Sequence, residues 1–218
     1  MNPNGDTPPD PDEHGRIVRQ GYDEIADVYN EQRGIFDNQR EINDFISCLP
    51  EGGEVLDIGC GGGVPVLKTL TKRGFSATGI DFSKAMLRIA ERNVPEADLI
   101  NGDITKTRFP DESFDGVIST YAIIHIHRSL HAALYAAIHR WLKPQGVLLV
   151  STATDEVGSD YSSEDYLGTK MAWSHPGGQE SVQLIKDVGF KIVFARTVTT
   201  GEETHLWILA RKGWTAKI

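Results

Sequence analysis

The chain has 218 residues, 39% of them hydrophobic and 24% charged, and a formal net charge of −9. That composition suits one globular domain with a sizeable core, and an acidic chain without any Lys/Arg-rich run speaks against a nucleic-acid partner. Two cysteines, Cys48 and Cys60, without C-x-x-C spacing, speak against a disulfide framework or a zinc site.

No apolar run reaches membrane-spanning length and the N-terminal residues carry no signal-peptide pattern, so a cytoplasmic protein away from membranes is expected. Residues 1–14, polar and Pro-rich, read as a disordered tail, and 15–218 as a single domain. Ile17, Val18, Tyr22, Ile25, Val28 and Tyr29 fall close to helical spacing. With a second helix over "NQREINDFISCL", stopped by Pro50, they make residues 15–49 a helical cap. "EVLDIG" reads as a buried strand, and "VPVLKTLTKRG" as a helix ending at Gly74. "SATGID" is a strand, and "SKAMLRIAERN" a helix with Ser83 as its N-cap. "ADLING" and "FDGVIST" are strands, "RSLHAALYAAIHRWL" a helix stopped by "KPQG", and "GVLLVSTA" the most apolar strand. Residues 155–176 break the rhythm: polar, with scattered aromatics and no regular pattern, they read as a lid-like insertion. "QESVQLIKDVG" is a helix, and "FKIVFARTVTT" and "HLWILARK" are strands joined by a short turn.

Alternating strands and helices predict an α/β fold, doubly wound, with a mostly parallel seven-stranded sheet, its last strand antiparallel and helices on both faces. In such a sheet, ligands bind beyond the carboxyl ends of the strands at the topological switch point. The glycine cluster of "EGGEVLDIGCGGG" falls at the end of the first strand, where glycine admits positive φ and lets a ligand touch the backbone.

"LDIGCGGG", with Asp57, Gly59, Gly61 and Gly63, resembles the acid-x-G-x-G-x-G signature of the class I (Rossmann-like) S-adenosylmethionine-dependent methyltransferases of small-molecule type. "GIDFSKAML", "NGDI", "FDGVIST" and "LKPQGVLLV" resemble the family's later segments in the same order, over roughly residues 50–153. The resemblance implies S-adenosyl-L-methionine as cofactor. Asp57, Gly59, Cys60, Gly61 and the main chain around Ser119 would then hold its amino-acid tail. Asp81 would accept from the ribose diol, Phe82 would cover one adenine face, Asp103 and Ile104 would meet the adenine amine, and Met86 would be a further cofactor-binding residue. "YDEIADVY" is similar to an N-terminal family element that closes over the cofactor, which implicates Tyr22 and Tyr29. Taken singly, each acid could be a helix cap or turn former. A nicotinamide-dinucleotide oxidoreductase is the rival on motif grounds, but "GCGGGV" has Val where the third glycine belongs, and Asp57 would repel a pyrophosphate. A non-catalytic module that binds S-adenosylmethionine is the other alternative.

Methyl transfer by in-line displacement needs positioning, plus a base where the nucleophile carries a proton. His125, in "STYAIIHIHRS", resembles the family's histidine after the fourth strand and is the candidate base or orienter, expected to titrate near 6.5; the other reading is a hydrogen-bonded loop histidine. His125, His127 and His131, at intervals of two and four without a carboxylate or cysteine, read as two loop histidines and one on a helix surface, not as a metal site. His139 reads as structural. Cys60 has no base beside it in sequence and reads as a small residue packed behind the loop. The acceptor is expected to be a small, partly apolar molecule, shaped by the region of Trp173 and His175. Arg33 is the candidate for an acidic acceptor group, against a solvated helix end. Acceptor identity, the atom methylated and the oligomeric state are not legible in the sequence.

Overall fold

The structure, a computed structural model, describes residues 9–32, 38–201 and 203–213. Helix α1 (Pro11–Gln32) begins four residues inside the expected tail. The reason is local: Asp10 accepts from the backbone N–H of Asp12 and Glu13, both at 3.0 Å, and Pro11 takes the first helical position. Arg33 lies outside the described residues. Helix α2 (Gln39–Ile46) presents Ile42, Phe45 and Ile46 to the core.

The central sheet contains β1 (Glu54–Ile58), β2 (Ser76–Asp81), β3 (Asp98–Asn101), β4 (Phe114–Ser119), β5 (Leu142–Thr152), β8 (Phe190–Thr200) and β9 (Glu203–Lys212). Their order is β3-β2-β1-β4-β5-β9-β8. Only β9 runs against its neighbours, antiparallel to both β5 and β8, as expected for a last strand joined by a short turn. Helices α3 (Val66–Lys72), α4 (Lys84–Asn93), α5 (His131–Trp141) and α6 (Gly178–Asp187) make the crossovers.

Period-two alternation divides the core between the two faces. On β5, Leu148 and Val150 pack with Leu134, Tyr135 and Ile138 of α5, while Val147 and Leu149 pack with Phe45 of α2 and Leu67 of α3. All four strand residues are fully buried, and burial of each such side chain is worth roughly 1.5–3 kcal/mol. Strand order reverses between β1 and β4, both of which pair with their neighbours in parallel register. That reversal places a crevice above the carboxyl ends of β1, β2 and β4.

Residues 159–175 are not irregular. They form a two-stranded hairpin, β6 (Ser159–Tyr166) and β7 (Thr169–His175), separate from the main sheet. Its Met171 and Ala172 are buried against Val18 and Ile25 of α1. Gly21 permits this contact, because a Cβ there would lie 2.8 Å from the Lys170 carbonyl oxygen and 2.8 Å from Met171 Cε. No helix among the described residues is long and apolar enough to cross a membrane.

Candidate active site

The crevice above the switch point is a cleft enclosing about 930 Å³. Its floor is the glycine loop. Gly59 (φ +70) donates its N–H to the Ile80 carbonyl at 2.8 Å, and a Cβ there would sit 2.2 Å from Ala122 Cβ. Gly61 (φ +52) has nothing within 4 Å of the place a Cβ would occupy, so its bare backbone faces open space. Asp57, buried at the end of β1, lines the same end, with Cys60 beside it. Burial and the nearby carboxylates of Asp81 and Asp57 push the Cys60 thiol well above its ordinary pKa, which leaves it a small packed residue.

Asp81, at the end of β2, anchors the middle of the cleft. One carboxylate oxygen accepts from the Gly61 N–H at 2.9 Å and the other from the Ser83 N–H at 2.8 Å. Desolvation raises its pKa to about 6, while those two N–H groups pull the other way. Ser83 caps α4 as expected, accepting from the Met86 N–H at 3.1 Å. Its hydroxyl donates to Asp23 of α1 at 2.7 Å, and the same carboxylate oxygen of Asp23 takes the Ala85 N–H at 3.1 Å. Asp23 thus pins α1 over the Asp81 end of the cleft. The acid in "YDEIADVY" carried that role in plain view, and sequence reasoning passed over it.

Phe82, Met86 and Ile104 line the cleft, as do Tyr22 and Tyr29, whose rings meet edge to face at 5.2 Å. Asp103 does not. Its carboxylate is drawn into its own turn, accepting from the Thr105 N–H at 2.9 Å and the Thr105 hydroxyl at 2.7 Å, and the wall there is made by Gly102 and Ile104. Ser119 is fully buried, its hydroxyl donating to the Ile58 carbonyl, and Thr120 and Tyr121 face the cleft in its place. Tyr121, at φ +59, and Asn30 are further lining residues that no sequence signal marked.

His125 is in the cleft, but it is not a freely titrating imidazole. Its Nδ1 lies 2.8 Å from the Ala172 carbonyl of β7, an atom that only accepts, so Nδ1 carries the proton and donates. Nε2 is therefore a lone pair, and the Tyr22 hydroxyl donates to it at 2.9 Å. Burial lowers the His125 pKa to about 4, well below the expected 6.5. The His14 Nε2–H donates to the His125 carbonyl at 3.0 Å. His125 thus ties α1, the loop after β4 and the hairpin together.

The other histidines lie elsewhere. His131, expected on a helix surface, is fully buried, with Nε2 donating to the Ile126 carbonyl at 2.8 Å. His139 packs edge-on against Phe190. His175 is buried, with Nε2 3.4 Å from Asp155, and lines neither this cleft nor the chamber beside it. Trp173 does line that chamber, which shares Tyr22, Tyr29, Tyr121 and His125 with the cleft. Among the described residues, no group of three or more His, Cys, Asp or Glu side chains could hold a metal ion.

A seven-stranded sheet of this order, with a glycine loop and an acid at its switch point, defines the class I methyltransferase fold. Residues 55–146 match the family model described as a methyltransferase domain. This stretch is a methyltransferase domain, and the sheet that carries it has the fold of the class I S-adenosylmethionine-dependent methyltransferases. Among named relatives, YqeM of Bacillus subtilis strain 168, which carries a methyltransferase name, is 26% identical over 199 residues, 87% of this chain and 79% of that one. Phosphoethanolamine N-methyltransferase 1 of Zea mays is 30% identical over 155 residues, 69% of this chain but only 30% of the maize protein. Among solved structures, the 1,6-didemethyltoxoflavin-N1-methyltransferase of Burkholderia thailandensis, with bound 1,6-didemethyltoxoflavin and S-adenosylhomocysteine, superposes with a TM-score of 0.79. It is 20% identical, over 95% of this chain and 93% of that one.

Proposed function

We propose that this chain methylates a small-molecule acceptor by in-line transfer, with the cofactor in the larger cleft and the acceptor in the adjoining chamber. One observation carries the reading: the acid-tipped cleft and the ring-lined chamber meet at Tyr22, Tyr29, Tyr121 and His125. The residues present fit the cofactor. Gly61 leaves backbone open to a ligand, and Asp81 offers a ribose diol a carboxylate already fixed by two N–H groups. S-adenosylmethionine supplies a methyl group activated by a cationic sulfur. Asp57 and the loop around Gly59–Gly61 hold the amino-acid tail, Asp81 the ribose, and Phe82, Met86 and the Ile104 main chain the adenine.

The chain's own share of catalysis is positioning and the exclusion of water. Helix α1 and the hairpin cover the junction, and the Tyr22–His125 pair fixes the phenol oxygen there. With its proton committed to His125 Nε2, that oxygen is an acceptor, able to orient an N–H or O–H of the incoming nucleophile. His125 serves as the orienter of Tyr22, and its low pKa keeps it neutral at physiological pH. Calorimetry tests the cofactor half: S-adenosylhomocysteine should bind the protein, and tighter binding of NAD would overturn the reading. Incubation with methyl-labelled S-adenosylmethionine and a metabolite extract tests the other half, with label expected in a small molecule. Binding without any transferred label would make the chain a non-catalytic module.

A further inference from the structure

The chamber beside the cleft encloses about 400 Å³, and six of its eight lining residues carry rings: Tyr22, Tyr29, Tyr121, His125, Tyr166 and Trp173. The walls are braced. Tyr22 and His125 stand edge to face at 87°, as do Tyr166 and Trp173 at 86°. The Tyr121 hydroxyl donates to Asn38 at 2.8 Å. One face of the Trp173 indole is covered by Tyr161, which stacks on it at 10° and 5.1 Å without lining the chamber. These rings lose little freedom when something enters, so contact with them is not spent on ordering them.

Resting on the methyltransferase reading above, we propose that the acceptor bound here is a flat aromatic or heteroaromatic ring system of one or two rings, in preference to an acyclic molecule. Ring walls set at right angles offer a planar guest both face and edge contacts, and an alkyl chain of the same size forfeits them. The volume is large enough for such a ring system. The phenol oxygens of Tyr22 and Tyr166 and the carboxylate of Glu203 give the same chamber polar groups for a substituent on the ring. Two of the acceptors named among similar proteins fall on opposite sides of this line: the toxoflavin precursor is a fused heteroaromatic, and phosphoethanolamine is acyclic.

The test uses the full chain and a matched pair of probes, 2-naphthol and its saturated counterpart decahydro-2-naphthol, titrated with and without S-adenosylhomocysteine. The expected result is binding of 2-naphthol about tenfold or more tighter, the equivalent of one well-made ring–ring contact. Trp173→Leu and, as an independent variant, Tyr166→Leu should each erase most of that preference while leaving S-adenosylhomocysteine affinity unchanged. Equal affinity for the two probes, including no measurable binding of either, overturns the proposal. So does phosphoethanolamine competing better than 2-naphthol. Failure of S-adenosylhomocysteine to bind is a separate readout, and it sinks the methyltransferase reading itself.

Discussion

Asp81 carries a conflict between folding and binding. A buried carboxylate accepting two backbone N–H groups still titrates at about 6, because desolvation outweighs the hydrogen bonds. Only the ionised form accepts both hydroxyls of a diol. Cofactor affinity should therefore be complete above the folded pKa and fall as pH drops through about 6, which calorimetry at pH 5 and pH 8 would read. Asp81→Asn removes the charge, and charge-assisted hydrogen bonds of this kind are worth roughly 1.5–3 kcal/mol each, so affinity should fall by about tenfold or more. Unchanged affinity in Asp81→Asn would remove it from the ribose site.

Tyr22 and His125 make the complementary case, in which the partner decides the chemistry. Tyr22→Phe leaves the lone pair of His125 Nε2 buried without its donor, at a cost of roughly 1–3 kcal/mol. If the phenol oxygen orients the nucleophile, turnover should fall in Tyr22→Phe while S-adenosylhomocysteine affinity holds. At saturating cofactor, where the Asp81 ionisation no longer limits binding, the rate should then show no histidine limb near 6.5, because the only imidazole placed there among the described residues titrates near 4. A pH–rate profile with a limb at 6.5 that disappears in His125→Ala would restore His125 as a conventional base.

Helix α1 and the hairpin meet at a joint that admits no slack. Glycine inside a helix costs about 1 kcal/mol relative to alanine, and at position 21 close approach to the Lys170 carbonyl explains it. Thr169 also hydrogen-bonds Glu24 across the same joint. Gly21→Ala should push the hairpin off α1, destabilise the fold by roughly 1–3 kcal/mol and weaken cofactor binding. If the two segments close over the cofactor together, hydrogen exchange in both should slow in parallel when S-adenosylhomocysteine binds. Protection confined to α1 would show that the hairpin is not part of the cover.

The contrast between sheet and cover shows what a sequence displays. β1, β4 and β5 are buried on both faces, so they stand out as apolar runs, and Asp57 and Asp81 follow from their places at the ends of β1 and β2. The hairpin hides because β6, "SDYSSEDY", has one face toward solvent and gains its order from pairing with β7 and from the Tyr161–Trp173 stack. Its buried seat, Met171 and Ala172 against Val18 and Ile25 of α1, joins residues far apart in sequence. The pKa of His125 was illegible for the same reason: the carbonyl and phenol that hold it come from residues 172 and 22. Asp103 was misplaced by a competing local bond, since Thr105 two positions on offers both an N–H and a hydroxyl.

Stability against pH sums these separate environments, and its sign follows from the two kinds of shift. His125 and His131 each titrate at about 4 when folded and near 6.5 when unfolded, so between those values the unfolded chain holds their protons and the folded chain does not. Asp81 acts oppositely: folded at about 6 and unfolded at 3.8, it gives the folded chain the extra proton. Two histidines against one aspartate leave the unfolded state ahead by about one proton near pH 5. Stability from these three groups should therefore rise with pH there by about 1.4 kcal/mol per unit and level off above pH 6.5. His14, His139 and His175, also lowered by burial, push the same way. The proposal can be isolated with variants. His131→Asn should flatten the slope of denaturant-derived stability between pH 4.5 and 6, and Asp81→Asn should steepen it. The opposite pair of changes would mean that burial does not govern these groups in solution.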